Sequence, residues 1–194
     1  MMNRNQCLAV LSRIRSNDTV VVTTMGSAAP WSRLSESELD FASVSSAMAH
    51  AADFALGLAL AQPQRPVWVL NGDGSMLMSL GTLVTICQTP PPNLVLFVLH
   101  NDTYEVTGNQ PVPGAGRIDM VQLARGAGFA QVGEFCSDET MARTLPDMLA
   151  EPGPWFINLR IETGAEPAPS LDRPLFDCAR ALRNALVDGA SISA

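Results

Sequence analysis

Two oxygen-bearing side chains in the middle of the chain, Asp73 and Asn101, have the chemistry of ligands for a metal ion. One carboxylate and one amide oxygen, with a backbone carbonyl, form an incomplete shell for a hard divalent cation such as Mg²⁺. Phosphate oxygens of a ligand and a water molecule would complete the octahedron. Gly72 and Gly74 flank Asp73 and allow a sharp turn, and the free N–H groups of a helix that starts there would face an anion. These residues predict a site for a phosphorylated ligand bound together with its metal ion.

The elements around these residues are predicted to place them at one edge of a parallel sheet. Residues 67–70 and 94–99 are short, almost wholly apolar runs rich in branched side chains, which is typical of strands buried on both faces. Residues 75–88 are apolar nearly all round and predict a helix, which a proline run then stops. Asp73 and Asn101 therefore follow the carboxyl ends of adjacent strands, where open α/β sheets bind their ligands.

The remaining pattern predicts an α/β fold with an open, mainly parallel sheet and helices on both faces. Residues 30–41 are polar and predict an irregular segment, and residues 107–117 predict a loop that closes over bound ligand. We expect a single domain over 1–194 with an ordered core at about 7–187. Apolar spacing and β-branched runs indicate further strands at 19–24, 130–132 and 155–161, and helices at 7–15, 43–61, 118–128, 137–149 and 174–187.

The composition narrows the classes of partner. Hydrophobic residues make up 47% of the chain and charged residues only 16%, so we expect part of the apolar surface to face a partner protein. The net charge of −7 argues against nucleic acid and against anionic membranes as binding partners.

The cysteines and the apolar runs bear on location. The four cysteines form no C-x-x-C pair, which argues against a zinc or iron–sulfur site and favours free thiols in a reducing cytoplasm. The first residues do not resemble a signal peptide, and no apolar stretch is long enough to span a bilayer. The sequence therefore predicts a cytoplasmic protein.

The segment Gly72-Asp73-Gly74-Ser75, followed after a helix and a strand by Asn101-Asp102-Thr103-Tyr104, resembles the thiamine diphosphate motif of the thiamine enzymes. The similarity extends to Thr107-Gly108-Asn109-Gln110-Pro111 and covers most of positions 7 to 160. Within that family, the chain resembles the group formed by sulfopyruvate decarboxylase β subunits and phosphonopyruvate decarboxylases. The alternative interpretation of these residues is that Gly72-Asp73-Gly74 forms an ordinary surface turn and that Asn101 is unrelated to it.

The resemblance implies a set of site residues. It assigns the magnesium ion to Asp73, Asn101 and the main-chain carbonyl of Thr103. It gives catalytic roles to Met48, which would hold thiamine diphosphate in a bent shape, and to Ser46, whose carbonyl would orient the cofactor's amino group. The cofactor-binding residues that it implies are Gly26, Ser27, Met48, Gly72, Asp73, Gly74, Ser75, Asn101, Thr103 and Tyr104.

Several of these assignments have simpler alternatives. Gly26 fits an ordinary strand-to-loop turn, and Met48 fits a helix core. Ala49 stands where the relatives usually carry glycine, so the backbone of that turn is expected to differ. The roles of six further residues are not decided by the sequence. His50 and His100 could act as an acid or a base or could be structural. Arg33, Arg117, Asn109 and Gln110 could contact the substrate or could be ordinary polar residues of the surface.

The resemblance also implies how the chain works. Thiamine enzymes need a carboxylate against the aminopyrimidine ring, contributed by a separate domain, and no glutamate here matches that site. We expect the chain to be the β subunit of a split 2-oxo-acid decarboxylase, in a hetero-oligomer with an α subunit that carries the pyrimidine-binding domain and its glutamate. The substrate would be a small 2-oxo acid. The alternatives are the diphosphate-binding subunit of a split carboligase of the acetolactate synthase type, a 2-oxo-acid oxidoreductase, and a non-catalytic thiamine diphosphate-binding scaffold.

Overall fold

The computed structural model of the chain describes residues 1–43, 48–164 and 174–190. Six strands form one parallel sheet, and two short strands form an antiparallel pair beside it. The strands of the main sheet are β1 Val20–Thr24, β2 Asp40–Ser43, β3 Val67–Gly72, β4 Leu94–His100, β7 Gln131–Phe135 and β8 Trp155–Arg160, and the antiparallel pair is β5 Thr103–Tyr104 with β6 Gln110–Pro111.

The order of the main sheet is β2-β1-β3-β4-β8-β7, which puts β3 and β4 at its centre. Both central strands are buried along almost their whole length, because helices cover both faces of the sheet. The prediction of a parallel α/β fold is confirmed. The prediction of an irregular segment over 30–41 is wrong in part, because the segment contains the helical turn at Ala28–Ser32 and the start of β2. With four residues and no β-branched run, β2 gives almost no periodic signal.

The helices are α1 Arg4–Ile14, α2 Ala28–Ser32, α3 Ala51–Ala61, α4 Asp73–Met78, α5 Gly81–Gln88, α6 Met120–Ala127, α7 Asp138–Leu149 and α8 Leu175–Ala190. The predicted helix over 75–88 is two helices in the structure, separated at Ser79 and Leu80. The predicted helix over 43–61 is shorter, since α3 begins at Ala51 and residues 44–47 lie outside the described part of the chain.

Two apolar layers hold the sheet between its helices. On one face, Val67 and Val69 of β3 pack with α3, α5, α6 and α8. On the other face, Trp68 and Leu70 pack with α1, α7 and Trp31. The alternation of β3 between the two layers fixes its register, so the turn that follows it has a defined position at the edge of the sheet.

The structure shows the state of the cysteines and the character of the helices. All four cysteines are free thiols: Cys7 and Cys178 are buried, Cys87 is half-buried and Cys136 is exposed. Among the described residues, none of the helices combines the length and the apolar character needed to cross a bilayer.

Candidate functional site

An open pocket, about 610 Å³ when the adjoining solvent space is included, lies at the carboxyl ends of β1, β3 and β4. It is lined by the loop after β1, by Met48, by the turn after β3, by the loop after β4 and by Arg4 from α1. Every residue that the resemblance assigned to the site lines this pocket, with the exception of Ser46, which lies outside the described residues: Gly26, Ser27, Met48, Gly72, Asp73, Gly74, Ser75, Asn101, Thr103 and Tyr104.

The Asp73 carboxylate is buried at the floor of the site, with 1% of the residue exposed. Its Oδ1 accepts a 2.8 Å hydrogen bond from the N–H of Gly74, and its Oδ2 accepts a 2.7 Å bond from the N–H of Asp102. Burial raises the pKa of the Asp73 carboxyl, and these two N–H groups oppose part of that rise. Each oxygen keeps a second lone pair, so the carboxylate can still bind a cation.

Asn101 is fixed at both ends of its amide. Its Oδ1 accepts a 3.1 Å hydrogen bond from the N–H of Thr103, and its Nδ2 donates a 2.9 Å bond to Oε2 of Glu105. Since Asp73, Asn101 and Thr103 line the same pocket and offer carboxylate, amide and carbonyl oxygens, the donor set fits Mg²⁺.

A second set of possible ligands lies beside the first. Ligand atoms of Asp73, His100 and Asp102 all lie within 4.8 Å of one another. Buried His100, however, already has its Nε2 3.0 Å from Oδ1 of Asp102 and its Nδ1 3.2 Å from Oδ1 of Asn158. Imidazole suits zinc and other transition metals better than magnesium. We therefore assign His100 to the support of the loop after β4, which is one of the two roles that the sequence left open.

Asp102 also helps to hold the loop after β4 in place. Its side chain faces His100 and, at 3.6 Å, Nη2 of Arg160. Burial raises the pKa of the Asp102 carboxyl, but the N–H of Gly116 and the His100 and Arg160 side chains outweigh burial, so the pKa lies below its ordinary value. Asp102 is thus held as a carboxylate that anchors the loop.

Backbone strain is concentrated around the pocket. Met25, Ala49 and Asp102 have φ values of 44°, 75° and 63°, a region that side chains other than glycine rarely adopt. Ala49 is pinned to the turn after β3, because its N–H donates a 2.9 Å bond to Oγ of Ser75 and its carbonyl accepts a bond from the Ser79 hydroxyl. The alanine therefore occupies a conformation that glycine adopts most easily, and strain of this kind is often found at functional sites.

Ser27 and Ser75 line the pocket, but their hydroxyl groups are engaged within the protein. The Ser27 hydroxyl lies 2.7 Å from the carbonyl of Leu70 and 2.9 Å from that of Thr24, which ties the loop after β1 to β3. The Ser75 hydroxyl accepts from the N–H of Ala49, as described above, which leaves its own proton available for an anion. The hydroxyl proton of Ser27 is thus donated within the protein, whereas Ser75 can still donate to a diphosphate.

Gly74 has a role that the sequence analysis missed. A Cβ at this position would lie 2.5 Å from Cε1 of Tyr104 and 2.7 Å from its Cδ1. The absence of a side chain at Gly74 thus allows the Tyr104 ring to pack directly on the first turn of α4. From the sequence, the same glycine was expected only because the turn is sharp.

Arg4 and Glu105, which were not predicted as site residues, also line the pocket and form a 2.9 Å ion pair. Glu105 belongs to the segment that carries the motif, so its position directly after Tyr104 was a usable signal. Arg4 had none, because it is 101 positions away from Glu105 in the chain.

The structure does not bring the remaining candidates into the pocket lining. The side chains of Arg33 and Arg117 are exposed and lie outside it. Asn109 bonds to the Thr103 hydroxyl and to the carbonyl of Gly164. His50 is exposed, and its Nδ1 lies 3.0 Å from Oδ2 of Asp53. Whether any of these residues contacts a substrate stays a prediction.

Known proteins are similar to this chain over the region that contains the pocket. The family model described as "Thiamine pyrophosphate enzyme, C-terminal TPP binding domain" matches residues 22–159, more than half of the chain. A phosphonopyruvate decarboxylase from Streptomyces viridochromogenes is 36% identical over 162 residues, which cover 81% of this chain and 40% of the relative. A sulfopyruvate decarboxylase subunit beta from Methanothermobacter thermautotrophicus is 38% identical over 125 residues, which cover 64% of each chain. The chain thus spans less than two thirds of the length of these relatives.

A solved structure gives the same result for the fold. The thiamine diphosphate-dependent 4-hydroxybenzoylformate decarboxylase of Rhodococcus jostii RHA1 matches with a TM-score of 0.69 and 26% sequence identity. The match covers 84% of this chain and 33% of that enzyme. The α/β architecture is therefore that of a domain within thiamine diphosphate-dependent enzymes.

Proposed function

The chain belongs to the family of thiamine pyrophosphate enzymes, as their C-terminal TPP-binding domain, and from this premise we propose that it is the diphosphate-binding β subunit of a split, thiamine diphosphate-dependent 2-oxo-acid decarboxylase. The substrates in view are sulfopyruvate, phosphonopyruvate and related small 2-oxo acids. The support is that relatives at 36% and 38% identity carry the names phosphonopyruvate decarboxylase and sulfopyruvate decarboxylase subunit beta.

One observation carries the proposal: Asp73, Asn101 and Thr103 line a single pocket at the carboxyl ends of adjacent strands. In the proposal these three residues hold Mg²⁺, which in turn binds the diphosphate. The backbone N–H groups of the loop after β1, at Gly26 and Ser27, provide further donors to the diphosphate. Because the chain is acidic overall, the metal ion supplies the positive charge that a diphosphate needs.

Thiamine diphosphate, when bound, supplies the electron sink that allows carbon dioxide to leave a 2-oxo acid. The protein contributes shape and position. Met48 lines the pocket and, in the proposal, supports the bent cofactor from below. Tyr104, packed on Gly74, closes the pocket on the side of the loop after β4. Ser46 keeps its proposed role in orienting the cofactor's amino group through its carbonyl.

The proposal assigns the activating carboxylate to a partner subunit. Glu105 is the one glutamate among the described pocket-lining residues, and its Oε2 is bound by both Arg4 and Asn101. It is therefore engaged in holding the loop and is poorly placed to activate a cofactor ring. An α subunit with a pyrimidine-binding domain would supply the missing glutamate and complete the active site.

The experiment is co-expression of the chain with such an α subunit, followed by assay of carbon dioxide release from a panel of 2-oxo acids. The proposal predicts release that requires both subunits, thiamine diphosphate and Mg²⁺. Formation of an acetohydroxy acid instead of an aldehyde would identify a carboligase. Cofactor binding by the complex without turnover of any acid in the panel would favour the scaffold function.

A further inference from the structure

The pocket contains a buried carboxylate that the proposed chemistry does not use. The Glu105 side chain is 7% exposed and the Arg4 side chain 9%, and Nη1 of Arg4 lies 2.9 Å from Oε2 of Glu105. The same Oε2 accepts the 2.9 Å hydrogen bond from Nδ2 of Asn101. One carboxylate oxygen therefore joins α1 to the asparagine that is predicted to bind the metal.

This contact decides which end of the Asn101 amide faces which neighbour. An asparagine amide has nearly the same shape when it is turned over, so only its hydrogen-bond partners fix its orientation. A carboxylate accepts hydrogen bonds and does not donate them, so the NH₂ group of Asn101 must point to Glu105. The Thr103 N–H, which can only donate, requires Oδ1 on its own side. Both contacts demand the same orientation.

The orientation matters because a cation binds the amide oxygen and is repelled by the NH₂ group. We propose that Glu105 is a positioning residue: it holds the Asn101 amide with its oxygen available to a hard divalent cation. Arg4 compensates the buried charge of Glu105 and keeps the carboxylate in place. This inference rests on the proposed function, since it concerns the metal ion of that site.

A purely structural role for the Arg4–Glu105 pair predicts something different. In that case the loss of Glu105 would weaken the loop whatever residue occupies position 101. In our proposal the effect depends on that residue. An aspartate at 101 has two equivalent oxygens and no NH₂ group, so it needs no orientation and is repelled by Glu105.

The test is a double-mutant cycle on the full chain in complex with its α subunit. The variants are Glu105→Gln, Asn101→Asp and the double variant, with Glu36→Gln on the exposed surface as the matched control. Binding of Mn²⁺ in the presence of thiamine diphosphate is measured from the electron paramagnetic resonance signal of free Mn²⁺. Thermal unfolding of each variant shows that it is folded.

The proposal predicts that Glu105→Gln weakens Mn²⁺ binding by about tenfold, the lower end of the range for residues that orient a metal ligand. Glu36→Gln binds as the wild type does. In the Asn101→Asp background the effect of Glu105→Gln on Mn²⁺ binding has the opposite sign. There Glu105→Gln strengthens Mn²⁺ binding, because glutamine removes the repulsion between the two carboxylates and can donate a hydrogen bond to the aspartate at 101.

Two results overturn the inference while leaving the proposed function intact: unchanged Mn²⁺ binding by folded Glu105→Gln, or weakening in both backgrounds. Failure of the wild-type complex to bind Mn²⁺ with thiamine diphosphate overturns the proposed function, and this inference with it.

Discussion

The backbone N–H of Asp102 donates a 2.7 Å hydrogen bond to Oδ2 of Asp73. This bond joins the turn after β3 to the loop after β4, the two segments that carry the proposed metal ligands. Because the two strands are paired in register from Val67↔Leu94 to Gly72↔Leu99, the sheet determines the separation of the segments, and the hydrogen bond fixes their orientation. The site is thus built by the centre of the sheet rather than by a mobile loop alone.

The close contact between Gly74 and Tyr104 can be tested by Gly74→Ala. Its Cβ would overlap the Tyr104 ring, at 2.5 Å from Cε1, and would approach Cγ1 of Val112 to 3.1 Å. We expect a loss of about 1–3 kcal/mol in the free energy of unfolding, as for other overpacked sites. Urea denaturation measures it.

Gly72→Ala is the matched control for that substitution, because a Cβ at Gly72 meets no atom within 4 Å. It should leave the stability of the cofactor-free protein close to that of the wild type. Equal losses for the two variants would contradict the role assigned to the Tyr104 contact.

The strained turn at Ala49 gives a second prediction. At φ 75° an alanine pays about 1–2 kcal/mol that glycine does not. Ala49→Gly relieves this strain, which stabilises the folded protein. The substitution also removes a buried methyl group and gives the unfolded chain more conformational freedom, and both of these effects are destabilising. The contributions to the free energy of unfolding therefore nearly cancel. We expect a change of less than about 0.5 kcal/mol in the free energy of unfolding.

The control is Ala55→Gly in the middle of α3, where alanine is fully buried and helical. There the strain relief is absent, and both helix propensity and burial are lost, so we expect destabilisation of about 1–2 kcal/mol. Thermal or urea unfolding compares the two. A loss at Ala49 as large as that at Ala55 would show that the turn is not strained.

Asp40 at the start of β2 predicts a pH dependence of stability. Burial raises the pKa of this carboxyl above its ordinary value of 3.8, and the Ser35 and Arg15 side chains oppose only part of that rise. Between 3.8 and the raised pKa the folded protein binds more protons at Asp40 than the unfolded chain does. The contribution of Asp40 to stability therefore falls as the pH rises through this window and is constant above it.

Asp40→Asn removes this titration while it keeps an oxygen that can face Arg15, whose Nη1 lies 2.9 Å from Oδ1 of Asp40. Urea unfolding of both proteins from pH 3.5 upward isolates the effect as the difference between the two curves. The wild type should lose stability relative to Asp40→Asn as the pH rises through the window. A difference that stays flat, or that changes in the opposite direction, would contradict the raised pKa.

The sequence predicted the centre of the molecule well for a physical reason. Strands buried on both faces are apolar throughout, and the ligand residues follow them directly, so β3, β4, Asp73 and Asn101 could be placed from local pattern. Edge strand β2 was missed because it is short and only partly apolar. The break at Ser79 was missed because the segment is apolar on both sides of it.

Contacts between distant segments were beyond the reach of local pattern. The Arg4–Glu105 pair joins the first helix to the loop after β4, and neither residue signals the other in the sequence. The bond from Ala49 to Ser75 likewise depends on how α3 and α4 approach each other. The residues that line the pocket could therefore be named from local pattern and from the resemblance, whereas most of the contacts that hold them in position could not.

The most direct test of the account is magnesium-dependent retention of thiamine diphosphate by the complex with its α subunit after passage through a desalting column. Asp73→Ala removes the buried carboxylate, and the exposed substitution Asp147→Ala in α7 is the control. The account predicts that the wild type and Asp147→Ala retain the cofactor when Mg²⁺ is present and lose it after chelation, and that folded Asp73→Ala does not retain it under either condition. Retention by Asp73→Ala equal to that of the wild type would contradict the assignment of the metal site.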